Sequence, residues 1–242
     1  MLSARRVASL RELCAVLGAS ERTVRRDLAR LALQGVLERT HGGARLSRDG
    51  SEAELAFRVR EHRQADEKRR IAKAAAGLVR RGSCLIIDSG TTALQVARAL
   101  PPGQGLTVLT NSVPVAWELA LRDDVMLVMS GGTLRGATLS LMGPQTDEFF
   151  GSVRADLAFI GASALSLERG LMNSNLFEAG AKKAMIRSAG KVVLVADRTK
   201  FEYQDFSVFA GFSDVDVFIT DGGSPPECVD TVKGMGVMVI EA

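Results

Sequence analysis

Cysteine is scarce in this 242-residue chain, and the three present, Cys14, Cys84 and Cys228, lie far apart with no metal-ligand or redox spacing. They read as reduced thiols of a cytosolic protein rather than a disulfide framework. Histidine occurs only twice, as His41 and His62, which argues against a histidine-built metal site. Aromatics are few, with Trp117 and Tyr203 the single tryptophan and tyrosine. A general RNA-binding surface, which needs clustered exposed rings for base stacking, is therefore disfavoured. No run approaches the roughly 18 apolar residues of a membrane helix, and no membrane partner is expected. The opening Met1-Leu2-Ser3-Ala4-Arg5-Arg6 lacks the apolar core of a secretory signal. These absences point to the cytoplasm and to no bound cofactor.

What remains is an ordinary globular composition, 46% apolar and 24% charged, enough for one large domain or for a small and a medium one. The net charge of +3 is unevenly spread. Residues 1–81 hold 19 Lys/Arg against 10 Asp/Glu, a balance of +9, and the rest hold 12 against 18, a balance of −6. A basic front on an acidic body is what separate nucleic-acid and ligand domains produce, although solvated arginine-rich helices would also show it.

Along the front, Leu10 to Leu17 reads as a short helix with Leu10, Leu13, Val16 and Leu17 on one buried stripe. Gly18 supplies the left-handed turn, and Ser20 caps a second helix running from Glu21 to Leu31. Val24, Leu28 and Leu31 face inward on it, while Arg22, Thr23, Arg25, Arg26 and Arg30 project outward. Two short strands around Gly42-Gly43 then form a wing. This is the pattern of a winged helix-turn-helix. The polar stretch 48–51 reads as a hinge, and 53–81 as a charged helix anchored by Phe57, Ile71, Ala75, Leu78 and Val79, with Arg60 and Lys68 available for structural ion pairs.

From residue 83 the pattern alternates strand and helix. Strands are expected at 83–88, 106–110, 125–129, 157–160, 191–195 and 215–219, and helices at 91–100, 113–121 and 177–189. Such alternation implies a mainly parallel sheet covered on both faces, with ligands beyond the carboxyl ends of its strands. Small polar residues gather at those ends: Asp88-Ser89-Gly90-Thr91-Thr92, Thr110-Asn111-Ser112 and Ser130-Gly131-Gly132-Thr133. The first opens a helix, whose free N–H groups and positive end suit a phosphate. Each alone reads as a capped turn; three at successive strand ends of one sheet argue for a site.

The segment Ser20-x-x-Thr23-Val24-Arg25-Arg26-Asp27-Leu28, with Leu31, Gly35 and His41-Gly42-Gly43-Ala44, resembles the DeoR family of sugar-metabolism repressors. So do Phe57…Arg60…Lys68…Ile71-Ala72, Asp88-Ser89-Gly90-Thr91-Thr92, Thr110-Asn111-Ser112, Gly131-Gly132, Ala155 to Gly161, Glu178…Lys182 and Ala196-Asp197-x-x-Lys200-Phe201. The resemblance spans nearly the whole chain. It implies an α/β fold: a winged helix-turn-helix over 1–47, a linker and connecting helix over 48–81, and a parallel-sheet sensor over 82–242 similar to ribose-5-phosphate isomerase. It also implies a transcriptional repressor of a sugar operon, a homo-oligomer (dimer or tetramer) binding double-stranded operator DNA and controlled by a sugar-phosphate effector. DNA contact would come from Ser20, Arg22, Thr23, Arg25, Arg26 and Arg30, with His41 and Arg45 on the wing and Asp27 positioning an arginine. Effector contact would come from Ser89, Gly90, Thr91 and Thr92 at the phosphate, with Asp88 and Gly131 beside them. Asn111 and Gly132 would line the sugar, and Lys200 would supply a cation. Glu178 completes the set, but Asn175-x-x-Glu178 reads first as a helix cap, and Glu178 with Lys182 as an i, i+4 pair. The alternative, a sugar-phosphate isomerase, needs an acidic cluster that Asp156-Leu157-Ala158-Phe159-Ile160-Gly161 lacks. Modules of this family open with a full amphipathic helix ahead of the segment matching 9–13; here only Met1 to about Arg5 precede it. The true start codon is expected upstream, which the intact mass of the native protein tests.

Overall fold

A computed structural model describes residues 7–33, 37–40, 42–46 and 57–242, and the chain divides into two units, Met1–Arg63 and Gln64–Ala242. His41, the hinge at 48–51, Gly35 and Met1 to Arg6 lie outside the described residues. No helix among the described residues is long and apolar enough to cross a membrane.

In the smaller unit a short strand, β1 (Val7–Ser9), leads into α1 (Leu10–Leu17). Ser9 and Glu12 form a reciprocal capping box: the Ser9 hydroxyl accepts from the Glu12 amide at 3.2 Å, and Glu12 Oε2 accepts from the Ser9 amide at 2.8 Å. The helix stops at Gly18, which takes the left-handed conformation (φ 60). α2 (Glu21–Leu33) starts from Ser20, whose hydroxyl accepts from the Thr23 amide at 3.3 Å. β2 (Leu37–Thr40) and β3 (Gly43–Leu46) make an antiparallel hairpin, and β1 joins on the far side of β3. Ala8, Leu13, Val24, Leu28 and Ala44 form its small core. The expected stripe on α1 is only half right, since Val16 and Leu17 are 60% and 64% exposed. An eight-residue helix over so small a core buries the first turns of its stripe and leaves the last turn bare. The Gly-Gly turn is also corrected. Thr40 pairs with Gly43, so Gly43 sits in the strand rather than in the turn, opposite Ser9.

The expected single helix over 53–81 is two, α3 (Phe57–His62) and α4 (Ala65–Ala76). Gln64 between them is left-handed (φ 49), a conformation no α-helix passes through, and Asp66 and Glu67 give α4 the acidic first turn its dipole favours.

The larger unit is built on seven parallel strands: β4 (Cys84–Ile87), β5 (Leu106–Thr110), β6 (Val125–Met129), β9 (Ala155–Ile160), β12 (Ala189–Val195), β14 (Val217–Thr220) and β15 (Met238–Glu241). Their spatial order is β15-β14-β12-β9-β4-β5-β6. Between β6 and β9 the chain inserts a hairpin, β7 (Thr133–Arg135) with β8 (Ser140–Met142), and α7 (Pro144–Gly151). A small antiparallel sheet of β10 (Ala164–Ser166), β11 (Gly170–Asn173) and β13 (Ser207–Ala210) accompanies the main one. The remaining helices are α5 (Thr91–Ala99), α6 (Val113–Leu119), α8 (Leu176–Ser188) and α9 (Pro226–Gly234). α4 packs on α5 and α5 on α6, while α8 packs on α7 and β13. One face of the sheet, with Ile86, Ala158, Ile160, Leu194 and Phe218, shares a core with Ala181, Ala184 and Met185 of α8 and Phe150 of α7. By the two-residue period the equally buried Leu85, Ile87, Val108 and Phe159 point to the other face. Burial on both faces is why these strands read as unbroken apolar runs.

The chain leaves β4 in one direction to β5 and β6, then returns past it to β9 and runs the other way. The switch point is therefore between β4 and β9, and sheets of this kind place their ligand crevice beyond the carboxyl ends of such strands.

Candidate functional site

Two surfaces collect the sequence-predicted residues. In the smaller unit, Arg22, Arg25 and Arg26 are exposed on α2, with Ser20 at its start and Thr23 half-buried. Ser20 and Thr23 share a hydrogen bond between their hydroxyls at 2.9 Å. Arg25 reaches Glu21 at 3.2 Å, and Asp27 lies 3.7 Å from Arg26 Nε, all four side chains being solvent-exposed. Such pairs are worth little in stability and restrain the guanidinium groups without removing them from solvent. Arg30 is on the same helix and Arg45 on β3.

In the larger unit the switch point is held by Asp88. Its carboxylate accepts from the Gly161 amide at 3.0 Å and from Lys182 Nζ, which also donates to the Gly161 carbonyl at 2.9 Å. Asp88 is fully buried and Lys182 nearly so. The ends of β4 and β9 are thus clamped by one lysine from α8. One turn earlier on α8, Glu178 is also buried, accepting from Thr138 and from Ser140 at 2.8 Å, with Arg135 at 3.4 Å. Asn175 caps α8 through its own side chain, accepting from the Phe177 and Glu178 amides at 3.0 and 3.1 Å. The Glu178 carboxylate does not return to that cap, and Lys182 does not pair with it. The cap reading thus holds through Asn175 and the Glu178 amide, while the i, i+4 pair yields to long-range partners, because the two side chains face inward where a buried charge must find one.

The loop after β5 closes this frame. Asn111 Nδ2 donates to the Leu141 carbonyl at 2.9 Å, and the Leu141 amide to the Asn111 carbonyl at 2.7 Å. Asn111 Oδ1 is buried and has no hydrogen-bond partner. Since a carbonyl fixes the amide orientation, the group left over is an acceptor. Ser112 is spent as the cap of α6, accepting from the Val115 amide at 3.3 Å. After β6, the Gly131 carbonyl accepts from Thr146 at 2.7 Å. Gly132 (φ 115) lies so close to the hairpin that a Cβ there would stand 2.3 Å from Thr146 Oγ1 and 2.8 Å from the Met142 carbonyl. Gly132 therefore has a packing reason of its own, and Gly131, left-handed at φ 69, a backbone one.

At the mouth of the crevice α5 begins at Gly90 (φ 107) with no side-chain cap, and nothing stands within 4 Å of where a Cβ on Gly90 would be. Ser89, Thr91 and Thr92 are buried around it. The first N–H groups of a helix have no partner within the helix, and they stand at its positive end. Lys200 stands apart, half-buried on the 3₁₀ turn Arg198–Glu202 that follows β12, two strands from β4.

Sequence reasoning missed Arg135, Thr138 and Ser140 as partners of Glu178, and left Lys182 outside the candidate set. It also missed Asp147, whose carboxyl lies against Gly180 of α8 with Oδ1 buried and unpartnered. Burial pushes that carboxyl up from its ordinary range, opposed by the charge of Arg187.

A winged helix-turn-helix with a basic recognition helix, followed by a doubly wound α/β unit with a polar crevice at its switch point, defines a DNA-binding regulator carrying a sensor domain. Residues 1–49 match the DeoR-like helix-turn-helix domain and residues 63–222 the DeoR C terminal sensor domain, and the chain belongs to the DeoR family of transcription regulators, not to a family of enzymes. It is 37% identical over 225 residues to the HTH-type transcriptional regulator GlpR of Haloferax volcanii, covering 93% of this chain and 88% of that protein. It is 34% identical over 217 residues to the glycerol-3-phosphate regulon repressor of Escherichia coli K12, covering 90% and 85%. Among solved structures, ribose 5-phosphate isomerase A from Methanocaldococcus jannaschii overlaps 57% of this chain and 54% of that one, at a TM-score of 0.41 and 20% identity.

Proposed function

We propose that this protein is a cytoplasmic, homo-oligomeric (dimeric or tetrameric) repressor of a sugar-metabolism operon, released from its operator by a phosphorylated sugar or polyol. Arg22, Arg25 and Arg26, with Ser20, Thr23 and Arg30 on α2 and His41 and Arg45 on the wing, contact double-stranded DNA. The phosphate of the effector sits on Ser89, Gly90, Thr91 and Thr92, and its hydroxyls meet Asn111 beside Gly131 and Gly132, with Asp88 and Glu178 setting the frame and Lys200 the outer cation. The observation that carries this reading is the start of α5 at the switch point, where Gly90 gives no side-chain cap, together with a buried acceptor, Asn111 Oδ1, that lacks a donor. A phosphate fits the first and a hydroxyl fits the second. The relative named as a glycerol-3-phosphate regulon repressor is consistent with a ligand of that chemistry.

A thermal-shift panel of sugar and polyol phosphates, their unphosphorylated parents and inorganic phosphate tests it. A ligand that binds only the folded state raises Tm by mass action. The expected result is a shift with one phosphorylated compound, absent with its parent. No shift with any phosphorylated compound would remove the effector site and leave the DNA-binding unit standing.

A further inference from the structure

β6, the last strand of the main sheet, has the sequence Val125-Met126-Leu127-Val128-Met129 and, among the described residues, no strand paired on its outer side. It carries none of the devices that keep an edge strand from pairing, having no charge, no proline and no bulge in its register with β5. At the opposite edge β15 ends in Glu241, which meets Lys233 at 3.9 Å, and Arg70 holds the Ala242 carbonyl at 3.2 Å. The two edges are thus built differently.

The bare strand also lies beside a bare helix face. Val113, Trp117 and Leu121 recur every four residues along α6 and just past its end, opposite the buried Val115 and Leu119. Trp117 is 83% exposed, Leu121 93% and Met126 62%, and Met129 is exposed as well. Trp117 alone offers on the order of 200 Å² of surface. With Val113 on α6 and Leu121 just past its end it makes an apolar face of the kind that marks a protein–protein contact.

We propose that a second copy of this chain docks along β6 and α6, pairing the two β6 strands antiparallel about a two-fold axis. This rests on the oligomeric part of the function proposed above and gives it an address. The sequence suits self-pairing. A two-fold axis at Leu127 sets Val125 opposite Met129, Asp124 opposite Ser130 and Asp123 opposite Gly131, so no like charges face each other. A parallel arrangement would oppose the acidic pairs. The contact is isologous and closes at two copies, which leaves no growing edge.

Trp117 is the only tryptophan, so its emission reports on this surface alone. Sedimentation of the full-length protein across a dilution series should give an oligomer, with Trp117 shielded from acrylamide. Quenching should rise several-fold as the mass falls to one chain. The paired substitution Leu121→Lys with Met126→Lys should raise the dissociation concentration at least tenfold. Phe206→Lys, at an exposed apolar position elsewhere, should leave it unchanged. An oligomer in which Trp117 stays fully quenchable overturns this interface while sparing the oligomeric reading. A monomer at every concentration overturns both. Dissociation by Phe206→Lys but not by the paired substitution moves the contact to another surface and equally overturns the proposal.

Discussion

Lys182 and Asp88 keep almost no contact with solvent, their side chains being 5% and 1% exposed. Withdrawing two charges from water costs several kcal/mol each, and only dense hydrogen bonding recovers it. The Gly161 amide and carbonyl provide that, with the Phe209 ring 5.5 Å from the ammonium. Lys182→Met leaves the Asp88 charge buried without its cation and is expected to cost about 3–5 kcal/mol, lowering Tm by roughly 10 °C for a protein of this size. Adding Asp88→Asn to it should restore much of the loss. If the single variant melts within a degree or two of the parent, the pair is not the clamp described. Asp147 behaves in the opposite sense. Its folded-state carboxyl is raised by burial, so the stability it contributes is present below the unfolded pKa and lost as pH rises through the folded one. Asp147→Asn should therefore raise Tm at pH 7, with the gain shrinking as pH falls towards 4. A gain independent of pH would mean that charge burial is not its source.

At the scale of elements, what the sequence disclosed was decided locally. The caps at Ser20 and Gly18 and the apolar runs of β4, β5, β6 and β12 were legible because neighbouring residues determine them. The three- and four-residue strands β7, β8, β10, β11 and β13 were not, since nothing within so short a span outweighs their distant pairing. The switch point was equally hidden, because the order of strands is a long-range fact. So were the partners of Glu178 and Lys182: the helical spacing suggested a pair, and the tertiary fold gave each residue a partner about 40 or 94 positions away. Gly43 shows the same limit. It reads as a turn glycine, yet a Cβ there would meet the Ala8 carbonyl oxygen at 2.1 Å, whereas at Gly42 nothing stands within 4 Å. Gly43→Ala should then push β1 off β3 at a cost of about 1–3 kcal/mol and abolish operator binding, while Gly42→Ala is tolerated. Because the sensor is a separate compact unit, its melting and its ligand response should be unchanged in both. Equal operator binding by the two variants would show that β1 does not need this close approach.

Across the whole molecule, the smaller unit, Met1–Arg63, carries 13 Lys/Arg against 8 Asp/Glu, a balance of +5, and the larger one 18 against 20, a balance of −2. A basic unit gains affinity for DNA by releasing counterions, and an acidic one is kept from competing for the same phosphates. An anionic effector binds a unit of negative net charge only where local dipoles override that charge, which is why the site is proposed at the start of α5. Control then requires a coupling free energy between the two sites, for which about 1–3 kcal/mol suffices. Binding linkage is reciprocal, so an effector that weakens operator affinity roughly 10–100-fold must itself bind operator-loaded protein more weakly by the same factor. Titrating each ligand in the presence and absence of the other measures this from both directions. Arg25→Ala should weaken the operator limb while leaving free-protein effector affinity intact, since Arg25 is exposed and paired with the likewise exposed Glu21. Thr91→Ala should do the reverse, lowering effector affinity with operator binding unchanged. If either substitution removes both activities, the loss is one of folding and the two-site scheme fails. If both behave as expected but the two coupling factors are unity, the units bind independently and the protein is not a switch.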